Sequence, residues 1–92
     1  MQTNPTIATT SLTGSVEGSY ALPANTVKFT VKLREQNIKL RIAWNSGDTS
    51  ASYLTLPANS SYTVEIKPRG VTFTVYLLAE SNATAEIESW QN

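Results

Sequence analysis

Apolar and polar residues alternate strictly along residues 26–44, and this alternation constrains the fold more than any other feature of the chain. From Val27 to Leu33 an apolar residue occupies every second position, and the same holds from Ile38 to Trp44. A period of two places successive side chains on opposite faces of a β-strand, so each half is predicted to be a strand buried on one face. Because the connecting residues 35–37 are short and polar, we predict an antiparallel hairpin.

The rest of the chain shows the same period, interrupted by turn-forming residues at short intervals. No stretch has the period of a helix. The predicted fold is therefore all-β: a single small antiparallel β-sandwich or jelly roll of about eight strands that spans residues 1–92. The Thr-rich residues 1–11 are also a candidate N-terminal arm that lies across a neighbouring subunit. The predicted strands cover residues 6–12, 15–22, 26–33, 38–44, 52–56, 62–67, 71–79 and 83–90.

The tetrapeptide Leu-Pro-Ala-Asn occurs twice, at residues 22–25 and 56–59, each time between two predicted strands. Proline fixes φ at the start of a turn and asparagine tolerates the left-handed conformation, so both copies are predicted to be turns between strands. Either an internal duplication or the independent use of the same favourable turn sequence accounts for this repeat. The inward positions of the strands predict this core: Val27, Phe29, Val31, Ile38, Leu40, Ile42, Val64, Ile66, Phe73, Val75 and Ile87.

The chain of 92 residues contains neither Cys nor His. Disulfides and the commonest zinc ligands are therefore excluded, as are the residues that most often act as nucleophile or general base. We expect a protein that is not an enzyme and that binds no cofactor and no metal. Because a domain of this size buries a limited core, we expect oligomerisation to stabilise it. No secretory signal or membrane-spanning run is visible, so synthesis in a cytoplasm and no membrane contact are expected.

Charge is balanced overall but segregated along the chain. All seven basic residues lie between positions 28 and 69, whereas the C-terminal end is acidic, and a net charge of zero argues against nucleic-acid binding. We predict that the basic strands face an acidic partner surface, and that salt weakens this docking. The alternative is that these charges are solvated outer faces of strands. The candidate interface charges are Lys28, Lys32, Lys39, Arg41, Glu86 and Glu88.

Three apolar residues are predicted to point away from the core. If Val75 and Ile87 face inward, alternation turns Tyr76, Leu78 and Trp90 outward. Exposed aromatic patches mark interfaces, so these three residues complete the candidate interface. The alternative is that another segment of the same subunit covers them.

Several stretches resemble short all-β virion proteins of tailed bacteriophages: residues 27–34, 38–44 and 53–62, and the ending 75–90 with its Ile-Glu-Ser-Trp. The resemblance implies a capsid decoration or cement protein, located on the capsid surface of the virion. It further implies a homotrimer that binds the major capsid protein and carries no catalytic residues. One alternative is a carbohydrate-binding module or fibre-tip receptor-binding protein, with Trp44, Tyr53, Tyr76 or Trp90 as stacking platforms. Another is a ring-forming adaptor of the neck or tail.

Overall fold

A computed structural model describes residues 5–67 and 70–91, which form two antiparallel four-stranded sheets packed around one hydrophobic core. The predicted all-β class is confirmed. A single turn of 3-10 helix, Asp48–Ser50, follows the fourth strand. The strands are β1 Thr6–Leu12, β2 Gly18–Leu22, β3 Thr26–Leu33, β4 Leu40–Ala43, β5 Leu54–Leu56, β6 Ser61–Glu65, β7 Phe73–Ala79 and β8 Ala83–Gln91.

The strand order identifies the architecture as a jelly roll. The first sheet has the order β1-β8-β3-β6, and the second has the order β2-β7-β4-β5. Strand β1 pairs with β8, β2 with β7, β3 with β6 and β4 with β5, so the chain is a long hairpin whose successive pairs alternate between the sheets. This winding produces two sheets with four edge strands: β1 and β6 in the first sheet, β2 and β5 in the second.

The hairpin predicted from residues 26–44 is wrong. Strand β3 pairs with β8 and β6, whereas β4 pairs with β7 and β5 in the other sheet. Residues 34–39 therefore carry the chain from one sheet to the other. Alternation requires only that each strand bury one face, and two strands facing each other across the core satisfy it as well as two neighbours in one sheet.

The predicted core is largely correct. Its fully buried members include Phe29, Leu40 and Val75, while Phe73 and Val64 are partly buried and pack against the same cluster. The remaining members divide in the same way, with Val31, Ile42 and Ile87 fully buried and Ile38 and Ile66 partly buried.

Val27 is the exception, because the pairing of β3 with β8 shifts by one residue between Thr26 and Lys28. This β-bulge turns Thr26 into the interior in place of Val27. The buried hydroxyl of Thr26 donates to the Pro23 carbonyl at 2.7 Å and accepts from the Gln91 amide at 3.0 Å.

Both Leu-Pro-Ala-Asn turns adopt the predicted geometry. Asn25 has φ of 65° and Asn59 has φ of 61°, which is the left-handed conformation. Each turn takes the chain from the second sheet to the first, between β2 and β3 and between β5 and β6. Asparagine suits this position because its short polar side chain lowers the cost of positive φ.

Residues 6–11 of the candidate N-terminal arm form a strand of the sandwich. These residues belong to β1, which pairs with β8 of the same chain in regular register from Thr6 to Leu12. This pairing places them in a sheet of their own chain. Residues 1–4 of the predicted arm lie outside the described residues.

Candidate functional site

The nine candidate interface residues lie on two opposite faces of the sandwich, because their strands belong to different sheets. Tyr76 and Leu78 lie on β7 in the second sheet, whereas Trp90 lies on β8 in the first, so the predicted cluster of these three residues is wrong. All three are half-buried. The first sheet carries Lys28, Lys32, Glu86, Glu88 and Trp90. The second carries Arg41, Tyr76 and Leu78, and Lys39 directly precedes its strand β4.

On the outer face of the first sheet, opposite charges are already paired within the chain. Glu86 accepts hydrogen bonds from Arg34 Nε at 2.9 Å and from Lys32 Nζ at 3.1 Å. Arg34 and then Lys32 hold the pKa of Glu86 below its ordinary value. The ammonium of Lys28 lies 4.9 Å from the ring centre of Trp90. Lys28 and Lys32 therefore have partners on the neighbouring strand β8 without a second subunit.

One lateral side of the sandwich leaves aromatic residues beside the core partly uncovered. The pairing of β4 with β5 ends at Ile42 and Leu54, so Trp44 lies beyond the paired region at the side where β6 is also an edge strand. Its ring contacts Phe29 edge-on at 6.2 Å between centroids, Phe73 at 5.8 Å and Tyr62 at 6.4 Å. Phe29 is fully buried, but Trp44 remains 37% exposed.

A groove of about 510 Å³ follows this side, and we call it the aromatic groove. It lies where the interior of the sandwich reaches the surface, so its lining continues directly into the core. The lining residues are Trp44, Tyr62, Val64, Ile66, Lys67 and Phe73.

The outer face of the second sheet holds a polar groove of about 560 Å³. Lys39, Arg41 and Glu80 bring charges to it, Tyr53 brings an aromatic ring, and hydroxyl groups and Leu78 complete the lining. The backbone N–H of Lys39 donates to Glu80 Oε1 at 3.1 Å, so the acidic group is fixed beside the strand. We call this polar groove the cationic groove. Its full lining is Ser15, Lys39, Arg41, Ser50, Tyr53, Thr55, Leu78 and Glu80.

Arg41 is held in this groove by two contacts. Its Nη1 donates to the carbonyl oxygen of Thr49 at 3.1 Å, and its guanidinium carbon lies 4.4 Å from the ring centre of Tyr53. A guanidinium that stacks on a ring and donates to a carbonyl has a fixed orientation. Arg41 is thus positioned before any ligand arrives.

The segment that positions Arg41 is itself anchored to the β1–β2 loop. Thr49 is only 2% exposed, and its hydroxyl donates to Glu17 Oε1 at 2.6 Å. The Gly47 N–H also donates to the Glu17 carboxylate, at 3.1 Å to each oxygen. The Thr49 hydroxyl, followed by the Gly47 N–H, holds the pKa of Glu17 below its ordinary value. Glu17 therefore holds the 3-10 turn in place, and this turn contacts β4 and β7.

Sequence reasoning missed Glu17 and Thr49. They lie 32 positions apart, and neither belongs to a motif that indicates their contact. The sequence predicts Tyr53 as a candidate sugar platform but does not indicate its stacking on Arg41, because that contact depends on how the chain turns between β4 and β5.

Within residues 5–67 and 70–91, no cluster of three or more acidic side chains has the arrangement of a metal site. No helix in that part of the chain is long and apolar enough to span a membrane.

Neither a protein-family model nor a curated protein sequence matches the chain. Solved structures do match it, including a de novo designed double-stranded β-helix, with a TM-score of 0.58, 12% identity and coverage of 94% of this chain and 96% of that one. The Yersinia pseudotuberculosis-derived mitogen has a TM-score of 0.56, 11% identity and coverage of 97% and 86%.

Aeromonas hydrophila PliG, a periplasmic inhibitor of g-type lysozyme, has a TM-score of 0.58, 16% identity and coverage of 96% and 87%. These three neighbours are a designed protein, a mitogen and an inhibitor, so at such identities the likeness shows the fold alone.

Proposed function

We propose that the chain is a non-enzymatic virion protein of a tailed bacteriophage that decorates the capsid as an oligomer, a homotrimer by the resemblance, bound to the major capsid protein. The observation that carries the proposal is the aromatic groove, where the core of the sandwich reaches the surface beside Trp44. A decoration protein acts by covering its partner's surface, and for this it needs an apolar contact rather than a catalytic centre. The resemblance supplies the virion context.

The composition of the aromatic groove supports an interface. Trp and Tyr are the residues that most often dominate the binding energy of protein interfaces, and Trp44 and Tyr62 lie side by side here. Leu54 on the adjoining edge strand β5 is 44% exposed and extends the apolar surface. A partner that covers this side completes the burial of a small core, which is the expected role of oligomerisation in a domain of this size.

Two exposed valines provide a matched test. Val71 is 65% exposed and lines a small cavity together with Ile66 and Phe73, which also line the aromatic groove. Val16 is 54% exposed in the loop between β1 and β2, the edge strands of the other lateral side. We expect Val71→Asp to weaken assembly by at least about tenfold, because it places a charge at the rim of an apolar contact, and Val16→Asp to leave assembly unchanged.

The measurements are the mass of the purified protein by light scattering and its co-sedimentation with capsid particles. Wild-type protein that stays monomeric and does not sediment with capsids contradicts the proposal, as does an equal effect of the two valine substitutions. Cryo-electron microscopy of the assembled particle then gives the location, and density at the neck or tail instead of the capsid replaces the decoration role by the adaptor role.

A further inference from the structure

We propose that the cationic groove on the second sheet binds a saccharide that carries a carboxylate, such as a hexuronic acid. This site is separate from the aromatic groove and goes beyond the assembly role. Its chemistry comes from three kinds of group that the fold brings together: two cationic side chains, one exposed aromatic ring, and a set of hydroxyl and carboxylate acceptors.

The cations select for a negatively charged ligand. Arg41 uses one guanidinium nitrogen on the Thr49 carbonyl, and its other N–H groups have no acceptor among the described residues. The ammonium of Lys39 likewise has no acidic or other polar partner within residues 5–67 and 70–91. A carboxylate accepts hydrogen bonds from both Lys and Arg, and Arg offers it a planar pair of donors.

Tyr53 and the acceptors select for a sugar ring rather than for a simple anion. Tyr53 remains 39% exposed although Arg41 stacks on it, so part of the ring is available to the apolar C–H face of a pyranose. The Glu80 carboxylate and the hydroxyls of Ser15, Ser50 and Thr55 surround the cations. They accept hydrogen bonds from the several hydroxyl groups of a sugar ring, which a simple anion such as chloride or sulfate does not offer.

The groove is built before the ligand binds. The contact from Glu17 to Thr49 holds the 3-10 turn, the Thr49 carbonyl holds Arg41, and Arg41 holds the ring of Tyr53. A preformed site lowers the entropic cost of binding a small ligand. Its volume of about 560 Å³ is also in the range of small-molecule sites, about 300–1,000 Å³.

The other aromatic residues considered for sugar binding lie in different surroundings. Trp44 lies in the apolar aromatic groove, and Trp90 lies beneath Lys28 on the first sheet. Tyr76 is half-buried, next to the fully buried Ala43 on the paired strand β4. Tyr53 alone among these four lies in a groove that also contains two cations and several acceptors.

The test is an NMR titration of the full chain, in which amide shifts are followed while methyl β-glucuronide, methyl β-glucoside or inorganic phosphate is added. We expect the glucuronide to shift amides around Tyr53 and Arg41 with millimolar affinity. The neutral glucoside should bind at least about fivefold more weakly, because it lacks the carboxylate and the most favourable exposed ion pairs are each worth about fivefold in affinity. No shifts with the glucuronide, or equal binding of the glucoside, overturns the proposal. Phosphate that binds as well as the glucuronide overturns the saccharide class.

Lys39→Gln is the main variant because Lys39 is exposed, so the fold does not depend on its charge. Lys28→Gln is the matched control, since Lys28 lies on the opposite face and also contacts an aromatic ring. We expect Lys39→Gln to weaken glucuronide binding by about fivefold and Lys28→Gln to leave it unchanged. Tyr53→Ala tests the ring and should abolish the shifts. Equal weakening by both lysine variants overturns the assignment to this groove.

The assembly proposal and the saccharide proposal can be contradicted independently of each other. Val71→Asp changes the rim of the aromatic groove and should leave glucuronide binding intact, whereas Lys39→Gln should leave assembly intact.

Discussion

Replacing Phe29 by Ala is the sharpest test of the packing that supports both grooves. Phe29 lies in the middle of β3, is fully buried, and contacts the rings of Trp44 and Phe73 at centroid distances of 6.2 and 6.4 Å. Truncation of a buried Phe costs about 3–5 kcal/mol, because it removes apolar burial and leaves a cavity. A chain of 92 residues has a total stability of about 5–14 kcal/mol at about 0.05–0.15 kcal/mol per residue.

The loss is therefore about a fifth of the stability or more. At about 4–8 °C per kcal/mol for a domain of this size, we expect the melting temperature to fall by roughly 12–40 °C. Urea denaturation followed by far-ultraviolet circular dichroism gives the free energy of unfolding. Tryptophan fluorescence in a Trp90→Phe background, where Trp44 is the remaining tryptophan, reports on the local packing.

Phe29→Leu is the control, since it keeps most of the volume but removes the ring contacts. We expect it to cost less than the Ala variant: a swap that keeps most of the volume costs below about 1.5 kcal/mol, and the lost ring contacts add about 0.5–1.5 kcal/mol in total. An Ala variant that loses less than about 1 kcal/mol, or a Leu variant that is as unstable as the Ala variant, refutes the reasoning that Phe29 fills the centre of this core.

Three further predictions concern loops. Gly14→Ala should destabilise the fold by about 1–3 kcal/mol in urea denaturation, because a Cβ at this position lies 2.8 Å from Ser81 Cα, whereas Gly70→Ala meets nothing within 4 Å and should have little effect. Asn25→Ala should cost about 1–2 kcal/mol and Asn25→Gly much less, since φ there is 65°; equal melting temperatures would contradict this. Glu17→Gln should lower the melting temperature at neutral pH. Because the pKa of Glu17 is lowered in the folded protein, its carboxylate stabilises the fold above the ordinary pKa of 4.5, and this stabilisation is lost as the group is protonated at lower pH. The difference in melting temperature between variant and wild type should therefore narrow below pH 4.5, and a difference that does not change with pH would count against this contact.

Alternation along the chain was sufficient to predict the strands but not their partners. The bounds predicted for β1 and β3 agree with the structure, and the other strands differ at their ends by a few residues. Alternation is a local property that reports which face of a strand is buried. The partner of a strand in a jelly roll lies far away in sequence, as with β1 and β8, and a short loop at residues 35–37 led to the wrong hairpin.

The candidate site was predicted less well than the fold, for the same reason. Lys32 and Glu86 are 54 positions apart, and their pairing depends on the register between β3 and β8. The bulge at Val27 changes that register by one residue, and nothing in the local sequence indicates it. The anchoring of Thr49 by Glu17 likewise requires the fold, because the two residues meet across the loops that the winding brings together.

The internal pairing of charges bears on the contacts that would hold the proposed assembly together. The segregation of basic and acidic residues suggested docking between copies, but Glu86 is engaged by Lys32 and Arg34 of its own chain. The edge strand β1 (Thr6–Leu12) contains no charged residue, and its outward Ile7 is 73% exposed. Native edge strands commonly carry charges or a proline that discourage pairing, and β1 lacks these devices along its whole length. Its uncharged edge and the aromatic groove on the opposite side are therefore the surfaces on which apolar and backbone contacts, which salt screens little, would sustain an assembly.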